Sequence, residues 1–243
     1  MVIITGGARG IGRAYALGMA QEGASIVIAD LGDATEAVAA VRSAGGVAES
    51  VTADVSSEAS TDEMAAYAVE HFGRIDVLIN NAAMFTTIAM GPFDDISVDT
   101  WDKVFEVNVR GSWLAAKAVS AYMKQRNYGK IINVSSMTVP DGTPGFAHYV
   151  SSKAAILGLT RALARELGEW NIAVNTITPD FIAHDPDVAA ANPGIDAMLA
   201  ERRSFPRVQE PEDMVGTAVF LAGAGSDFVT GQNFYVNGGR WFG

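Results

Sequence analysis

The sequence predicts an α/β protein: a Rossmann-type, doubly wound sheet of seven parallel strands with helices on both faces, forming a single domain over residues 1–243. Three observations lead there. Short β-branched runs alternate with longer helical ones along the whole chain. Several of the runs are almost continuously apolar, as in Ser25-Ile26-Val27-Ile28-Ala29, Ile75-Asp76-Val77-Leu78-Ile79 and Lys130-Ile131-Ile132-Asn133-Val134. Strands covered by helices on both faces read this way. The 243 residues are 49% hydrophobic, enough for one sizeable core, and no linker, repeat or composition shift divides them.

The first strand, 2–5, runs into Thr5-Gly6-Gly7-Ala8-Arg9-Gly10-Ile11-Gly12 and then an Ala-rich helix at 11–22. Glycines at 6, 10 and 12 permit a tight turn, close backbone approach to a pyrophosphate and close helix–strand packing. The helix start offers free N–H groups and a positive dipole end to phosphates. The second strand, 25–30, ends on Asp30, an acid placed to accept hydrogen bonds from adenosine ribose hydroxyls. The same carboxylate would repel the extra phosphate of NADP, a charge that Arg9 would offset only in part by contacting a phosphate. The expected cofactor is NAD. The competing explanation of Asp30 is a helix cap.

Next come a helix at 33–44, a strand at 47–53, a helix at 58–72, a strand at 75–80, one long helix at 100–126 and a strand at 129–135. The helix at 149–168 opens on Tyr149-Val150-Ser151-Ser152-Lys153, which puts Tyr149 and Lys153 on one face at i and i+4. An isolated phenol titrates near about 10, and a nearby ammonium favours its phenolate. Such a tyrosine serves as base toward an alcohol or acid toward a ketone. His148 is excluded from catalysis, because adjacent helical residues point about 100° apart. After a strand at 172–178, residues 179–211 form a long irregular stretch with Pro179, Pro186, Pro193, Pro206 and Pro211 and a short helix near 195–203. Following a strand's carboxyl end, it is expected to be a substrate-binding loop or lid. A helix at 212–222 and a strand at 233–236 close the fold.

Taken together, Thr5–Gly12, Asp54-Val55, Asn80-Asn81-Ala82-Ala83, Asn108, Ser135-Ser136, Tyr149/Lys153 and Pro179 resemble the short-chain dehydrogenase/reductase family in its single-domain form of about 250 residues, over nearly the whole chain. The C-terminal half is most similar to NAD-dependent secondary-alcohol dehydrogenases acting on hydrophobic or aromatic substrates. The resemblance implies that Ser136 holds the substrate oxygen and Tyr149 transfers the proton. Lys153 would bind the nicotinamide ribose and lower the tyrosine pKa, and Asn108 would help a water link Lys153 to solvent. The cofactor would be held by Gly6, Arg9, Gly10, Ile11, Gly12, Asp30, Asp54, Val55, Asn81, Ala82, Tyr149, Lys153, Pro179 and Ile182. It carries the hydride chemistry itself.

Four departures from the family pattern stand out. Only four residues precede Thr5, which shortens the first strand. Ala83 stands where the family has glycine. Asp180 follows Pro179 where the family has Pro-Gly, bringing a carboxylate near the nicotinamide end that could select a polar substrate group. His184 occupies a position where the family often has a threonine that contacts the carboxamide. The candidate pocket is otherwise apolar, with Met137, Phe146, Phe181 and Met198 as its expected lining and Met84, Phe85, Val139 and Phe205 as further candidates.

A net charge of −11 disfavours nucleic acid and anionic membranes, and the absence of cysteine removes disulfide and thiolate-metal chemistry. Three scattered histidines predict no metal site. No 18-residue apolar run or signal peptide is seen, so a cytoplasmic protein is expected. The family's closing strand and tail commonly pack across a subunit interface, and the resemblance implies a homotetramer. Two alternatives are a 3-oxoacyl thioester reductase using NADPH and a nucleotide-binding regulator without turnover. Asp30 and the acidic surface oppose the first, and retention of Asn108, Ser136, Tyr149 and Lys153 opposes the second.

Overall fold

Adjacent residues of a strand face opposite sides of a sheet, so pairs such as Ile3/Ile4, Val27/Ile28, Leu78/Ile79 and Ile131/Ile132 must bury both faces at once. The computed structural model, which describes residues 1–182 and 194–242, shows this arrangement. Its strands are β1 (Val2–Thr5), β2 (Ser25–Asp30), β3 (Val47–Thr52), β4 (Val77–Asn80), β5 (Gly129–Val134), β6 (Ile172–Pro179) and β7 (Asn233–Val236). They form one sheet in the order β3-β2-β1-β4-β5-β6-β7. Every neighbouring pair is parallel, with Ile4 of β1 opposite Ile28 on one side and Ile79 on the other.

Ile4, Ile28, Ile79, Ile132 and Ile177 pack on one face against α1 (Gly10–Gln21), α2 (Thr35–Ser43) and a C-terminal helix at Val215–Ala222. Ile3, Val27, Leu78, Ile131 and Val174 pack on the other against α3 (Glu58–Phe72), α5 (Gly111–Arg126) and α7 (Ala147–Leu167). Ser57 starts α3 by accepting a hydrogen bond from Ser60 N, and Gly73 ends it with φ of 73°.

The long helix expected at 100–126 starts earlier, as α4 (Val98–Phe105) capped by Ser97, and is broken before α5 by a wider π-type turn at Glu106–Arg110. Such turns interrupt otherwise regular helices and often sit at functional positions; this one carries Asn108. A further short helix, α6 (Thr138–Asp141), was not signalled by periodicity. Within the irregular stretch, α8 (Ile195–Arg202) lies where a short helix is expected, and the C-terminal helix Val215–Ala222 is α9. Pro186, Pro193 and His184 lie outside the described residues. Among the described residues no helix is long and apolar enough to cross a membrane.

Candidate active site

Strand order reverses between β1 and β4, which opens a crevice at the carboxyl ends of the strands. One continuous cleft of about 1120 Å³ follows those ends. Its lining takes Gly6 from the end of β1, Asp30 and Leu31 from β2, and Ala53, Asp54 and Val55 from β3. Asn81 and Ala82 come from β4, Ser135 and Ser136 from β5, and Pro179 and Asp180 from β6. Arg9, Ile11, Ile182, Tyr149 and Lys153 also line it, as do Met137, Phe146, Phe181 and Met198. Gly10, Gly12 and Asn108 do not line the cleft.

At the glycine turn, Gly6 and Gly10 have φ of 64° and 55°. A side chain on Gly12 would lie 2.2 Å from the Gly6 carbonyl oxygen and 2.7 Å from Asn81 Nδ2. Asn81 Nδ2 donates to the carbonyls of Thr5 and Gly6 at 3.1 and 2.9 Å, joining the turns after β1 and β4. This backbone-lined hollow beside a helix start fits a pyrophosphate, and the fit requires no side chain at Gly12. Asp30 is not a helix cap: its Oδ2 accepts from Ala8 N at 3.0 Å and its Oδ1 from Gly32 N at 2.9 Å. Asp54 Oδ1 accepts from both Ser56 N and Ser56 Oγ, which hold its carboxyl below the ordinary carboxylate range.

At the other end, the two adjacent serines have different partners. Ser135 Oγ donates to the Lys153 backbone carbonyl at 2.9 Å. Ser136 lines the cleft beside Tyr149, and its oxygen accepts from Thr138 N and Thr138 Oγ1 at 3.2 and 3.0 Å. The Tyr149 ring is packed by Phe85 and Phe146, with centroids at 5.3 and 5.6 Å. Lys153 Nζ donates to the Val134 carbonyl at 2.9 Å and lies 5.8 Å from the centre of the Tyr149 ring.

The expected depression of the tyrosine pKa is not what the protein groups alone produce. Burial pushes the Tyr149 phenol well above its ordinary value, and the Ser136 side chain only partly opposes it. Burial also pushes the Lys153 ammonium down to about 8. Desolvation disfavours the charged forms of both groups.

Asn108 Oδ1 accepts from Met84 N at 2.7 Å, while its Nδ2 donates to Met84 O at 3.3 Å and Ser152 Oγ at 3.1 Å. Its side chain clamps the segment after β4 to α7, and its backbone carbonyl accepts from Ser112 Oγ. His148 is buried without lining the cleft, and its Nδ1 has no hydrogen-bond partner among the described residues.

Asp180 departs from what the sequence leads one to expect. It lines the cleft with both oxygens bonded to protein groups: Oδ2 accepts from Arg203 and Arg240, and Oδ1 accepts from Phe181 N. Lining residues that sequence reasoning missed include Leu31, Ile88, Lys103 and Arg240. Leu31 could have been found, since it follows Asp30 directly. The others reach the cleft through tertiary packing alone.

A family model described as enoyl-(acyl carrier protein) reductase matches residues 6–240. The (2S)-[(R)-hydroxy(phenyl)methyl]succinyl-CoA dehydrogenase subunit BbsD of Thauera aromatica is 37% identical, over 99% of this chain and 96% of its own. Galactitol 2-dehydrogenase of Agrobacterium fabrum is also 37% identical, over 99% and 97%. The 3-oxoacyl-[acyl-carrier-protein] reductase FabG of Staphylococcus epidermidis is 36% identical, over 98% of each chain. Among solved structures, an NAD⁺-bound xylitol dehydrogenase superposes with a TM-score of 0.92 at 33% identity, covering 98% of this chain and 97% of that one. A structure described as an NAD(P)-dependent gluconate 5-dehydrogenase from Beutenbergia cavernae, with bound NADP, gives 0.90 at 34% identity, over 98% and 95%.

Proposed function

The chain belongs to the short-chain dehydrogenase/reductase family and is an oxidoreductase, and from that premise we propose that it uses NAD to interconvert a secondary alcohol and a ketone, with Tyr149 as general acid/base. The observation that carries this reading is the single cleft joining the glycine turn and Asp30 to Ser136, Tyr149 and Lys153.

Gly6, Gly10, Gly12, Arg9 and Ile11 would hold the pyrophosphate, Asp30 the adenosine ribose, and Asp54 and Val55 the adenine. Asn81, Ala82, Lys153, Pro179 and Ile182 would hold the nicotinamide half. When bound, the cofactor supplies the hydride acceptor or donor. Ser136 orients the substrate oxygen toward Tyr149, whose phenol takes the alcohol proton in oxidation and returns it in reduction. Lys153, held by the Val134 carbonyl, keeps an ammonium on the same helix face. Asn108 supports this arrangement through Met84 and Ser152.

Support for NAD comes from Asp30 and its neighbour Leu31, which is 69% exposed at the cleft rim where an extra phosphate would need a cation. The lining Met84, Phe85, Ile88, Met137, Phe146 and Met198 favours a hydrophobic or aromatic substrate. Reduction of a 3-oxoacyl thioester with NADPH is the second reading, favoured by the staphylococcal relative; Asp30 and Leu31 oppose it.

We further propose a cytoplasmic homotetramer that binds neither nucleic acid nor membrane. Exposed Val98, Trp113, Phe220 and Phe228 support burial against other subunits, and light scattering showing a monomer at micromolar concentration would contradict it. The catalytic reading is tested by following NADH absorbance across secondary alcohols and ketones, with Tyr149→Phe as control. Turnover confined to sugars, or a clear preference for NADP, would overturn the corresponding part.

A further inference from the structure

We propose that Asp180 is a positioning residue that fixes the substrate end of the cleft, and hence its selectivity for substrate size, by tying three of its walls to one buried carboxylate. This rests on the oxidoreductase reading above. Asp180 follows the last residue of β6. Its Oδ2 accepts from Arg203 Nε and Nη2 at 3.0 and 2.8 Å and from Arg240 Nε at 2.8 Å. Its Oδ1 accepts from Phe181 N at 2.8 Å. Arg240 then reaches Asp141 Oδ2 with Nη2 at 2.6 Å.

The side chains of Asp180, Arg203 and Arg240 are 2%, 1% and 8% exposed, and that of Asp141 is 31% exposed. Two guanidiniums meet the carboxylates of Asp180 and Asp141, with the Asp196 carboxyl also near Arg203, so Asp180 is the one acid bonded to both cations. Losing Asp180 would leave two buried cations side by side, which makes its position strongly determined.

Each arm of this network ends beside a different apolar lining residue. Met137 immediately precedes α6, which ends at Asp141. Phe181 follows Asp180 itself. Met198 lies on α8, and Arg203 is the residue that ends that helix. An eight-residue helix has little stability of its own, so the placement of Met198 and Leu199 depends on how α8 is anchored. Arg203 supplies that anchor, with Nη1 also donating to the Arg207 carbonyl at 2.9 Å. Asp180 therefore sets the spacing of Met137, Phe181 and Met198 while its own oxygens remain committed to protein groups.

The test uses Arg240→Met, Arg240→Lys and Asp141→Asn, which leave the Asp180–Arg203 pair in place, with Asp180→Asn added if it folds. Backbone hydrogen exchange is read over 138–141 and 195–203, and kcat and KM are measured for secondary alcohols of graded size. Asp180→Asn should speed exchange in both segments. Arg240→Met, which leaves Arg203 tied to Asp180, is expected to speed it by about tenfold or more over 138–141 alone. Its preference between small and bulky alcohols should fall about fivefold, through KM rather than kcat. Arg240→Lys should recover part of that preference by keeping one of the two bridges, and NADH affinity should move less than about twofold. Unchanged exchange in folded Arg240→Met would overturn the proposal, as would faster exchange with unchanged size preference. A wild-type chain that binds NADH but oxidises no alcohol would refute the proposed function instead, and the exchange measurement would still decide the anchoring.

Discussion

Asp30 Oδ2 accepts the backbone N–H of Ala8 at 3.0 Å, so the residue placed to recognise a ribose also braces the turn placed to hold phosphates. The other oxygen accepts from Gly32 N at 2.9 Å. Asp30→Ala is therefore expected to weaken cofactor binding and folding together. Two bonds to a partly exposed ionised acceptor contribute on the order of 1–3 kcal/mol, a fall in Tm of several degrees for a chain of this length. NADH affinity should drop about tenfold or more, and the NAD:NADP ratio of kcat/KM should move toward unity. Fluorescence titration and thermal melts check this; an unchanged NADH affinity would remove Asp30 from the cofactor site.

Gly12→Ala puts a methyl 2.2 Å from the Gly6 carbonyl oxygen, against backbone that has no flexible side chain to yield. The turn must shift to admit it. Overpacking of this kind costs about 1–3 kcal/mol or more, and the displaced N–H groups should reduce NADH affinity further than stability alone would. Gly23→Ala makes the comparison: its added methyl meets nothing within 4 Å, although its φ of 83° strains an alanine. If the two variants bind NADH equally well, close approach at Gly12 is not what the cofactor site requires.

The strands were legible because burial on both faces leaves β-branched runs that little else produces. Asp30, Tyr149 and Lys153 were legible because each lies at a set distance from a glycine turn or a helix start. The π-type turn at Glu106–Arg110 left no mark, since helical periodicity is nearly the same on either side of it. Nor did the partners of Asp180: Arg203 and Arg240 lie 23 and 60 residues away in sequence. What Asp180 meets could not be read for that reason, because a carboxylate's role is decided by the cations that reach it.

Tyr149→Phe removes one hydroxyl and leaves the ring between Phe85 and Phe146. Ser136 keeps its bonds with Thr138, so folding should be nearly unaffected. Loss of a general acid/base commonly costs 10²–10⁴, and kcat should fall by about that factor. Because burial holds the wild-type phenol above its ordinary value, alcohol oxidation, which needs the base form, should rise with pH from 7 upward, while ketone reduction, which needs the acid form, should hardly change between pH 7 and about 9. A flat oxidation profile in the wild type, or near-normal turnover in the folded variant, would refute Tyr149 as the proton carrier.

Lys153 should lower the stability of the fold at neutral pH. Burial depresses its pKa from 10.5 to about 8. Between those values the unfolded chain binds more protons than the native one, so this group makes stability rise with pH across that window. Below pH 8 the full penalty of keeping a buried ammonium is present, on the order of 3 kcal/mol. Part of it is offset by the bond to the Val134 carbonyl, which contributes about 1–2 kcal/mol. Lys153→Met should therefore abolish turnover and yet be more stable than the wild type at pH 7, by about 1–2 kcal/mol. Its advantage should shrink as the pH approaches 10. Denaturant melts of both chains at pH 7 and 10 decide the matter: a variant less stable at pH 7, or an advantage that grows with pH, would mean that burial does not strain the lysine in the way its surroundings imply.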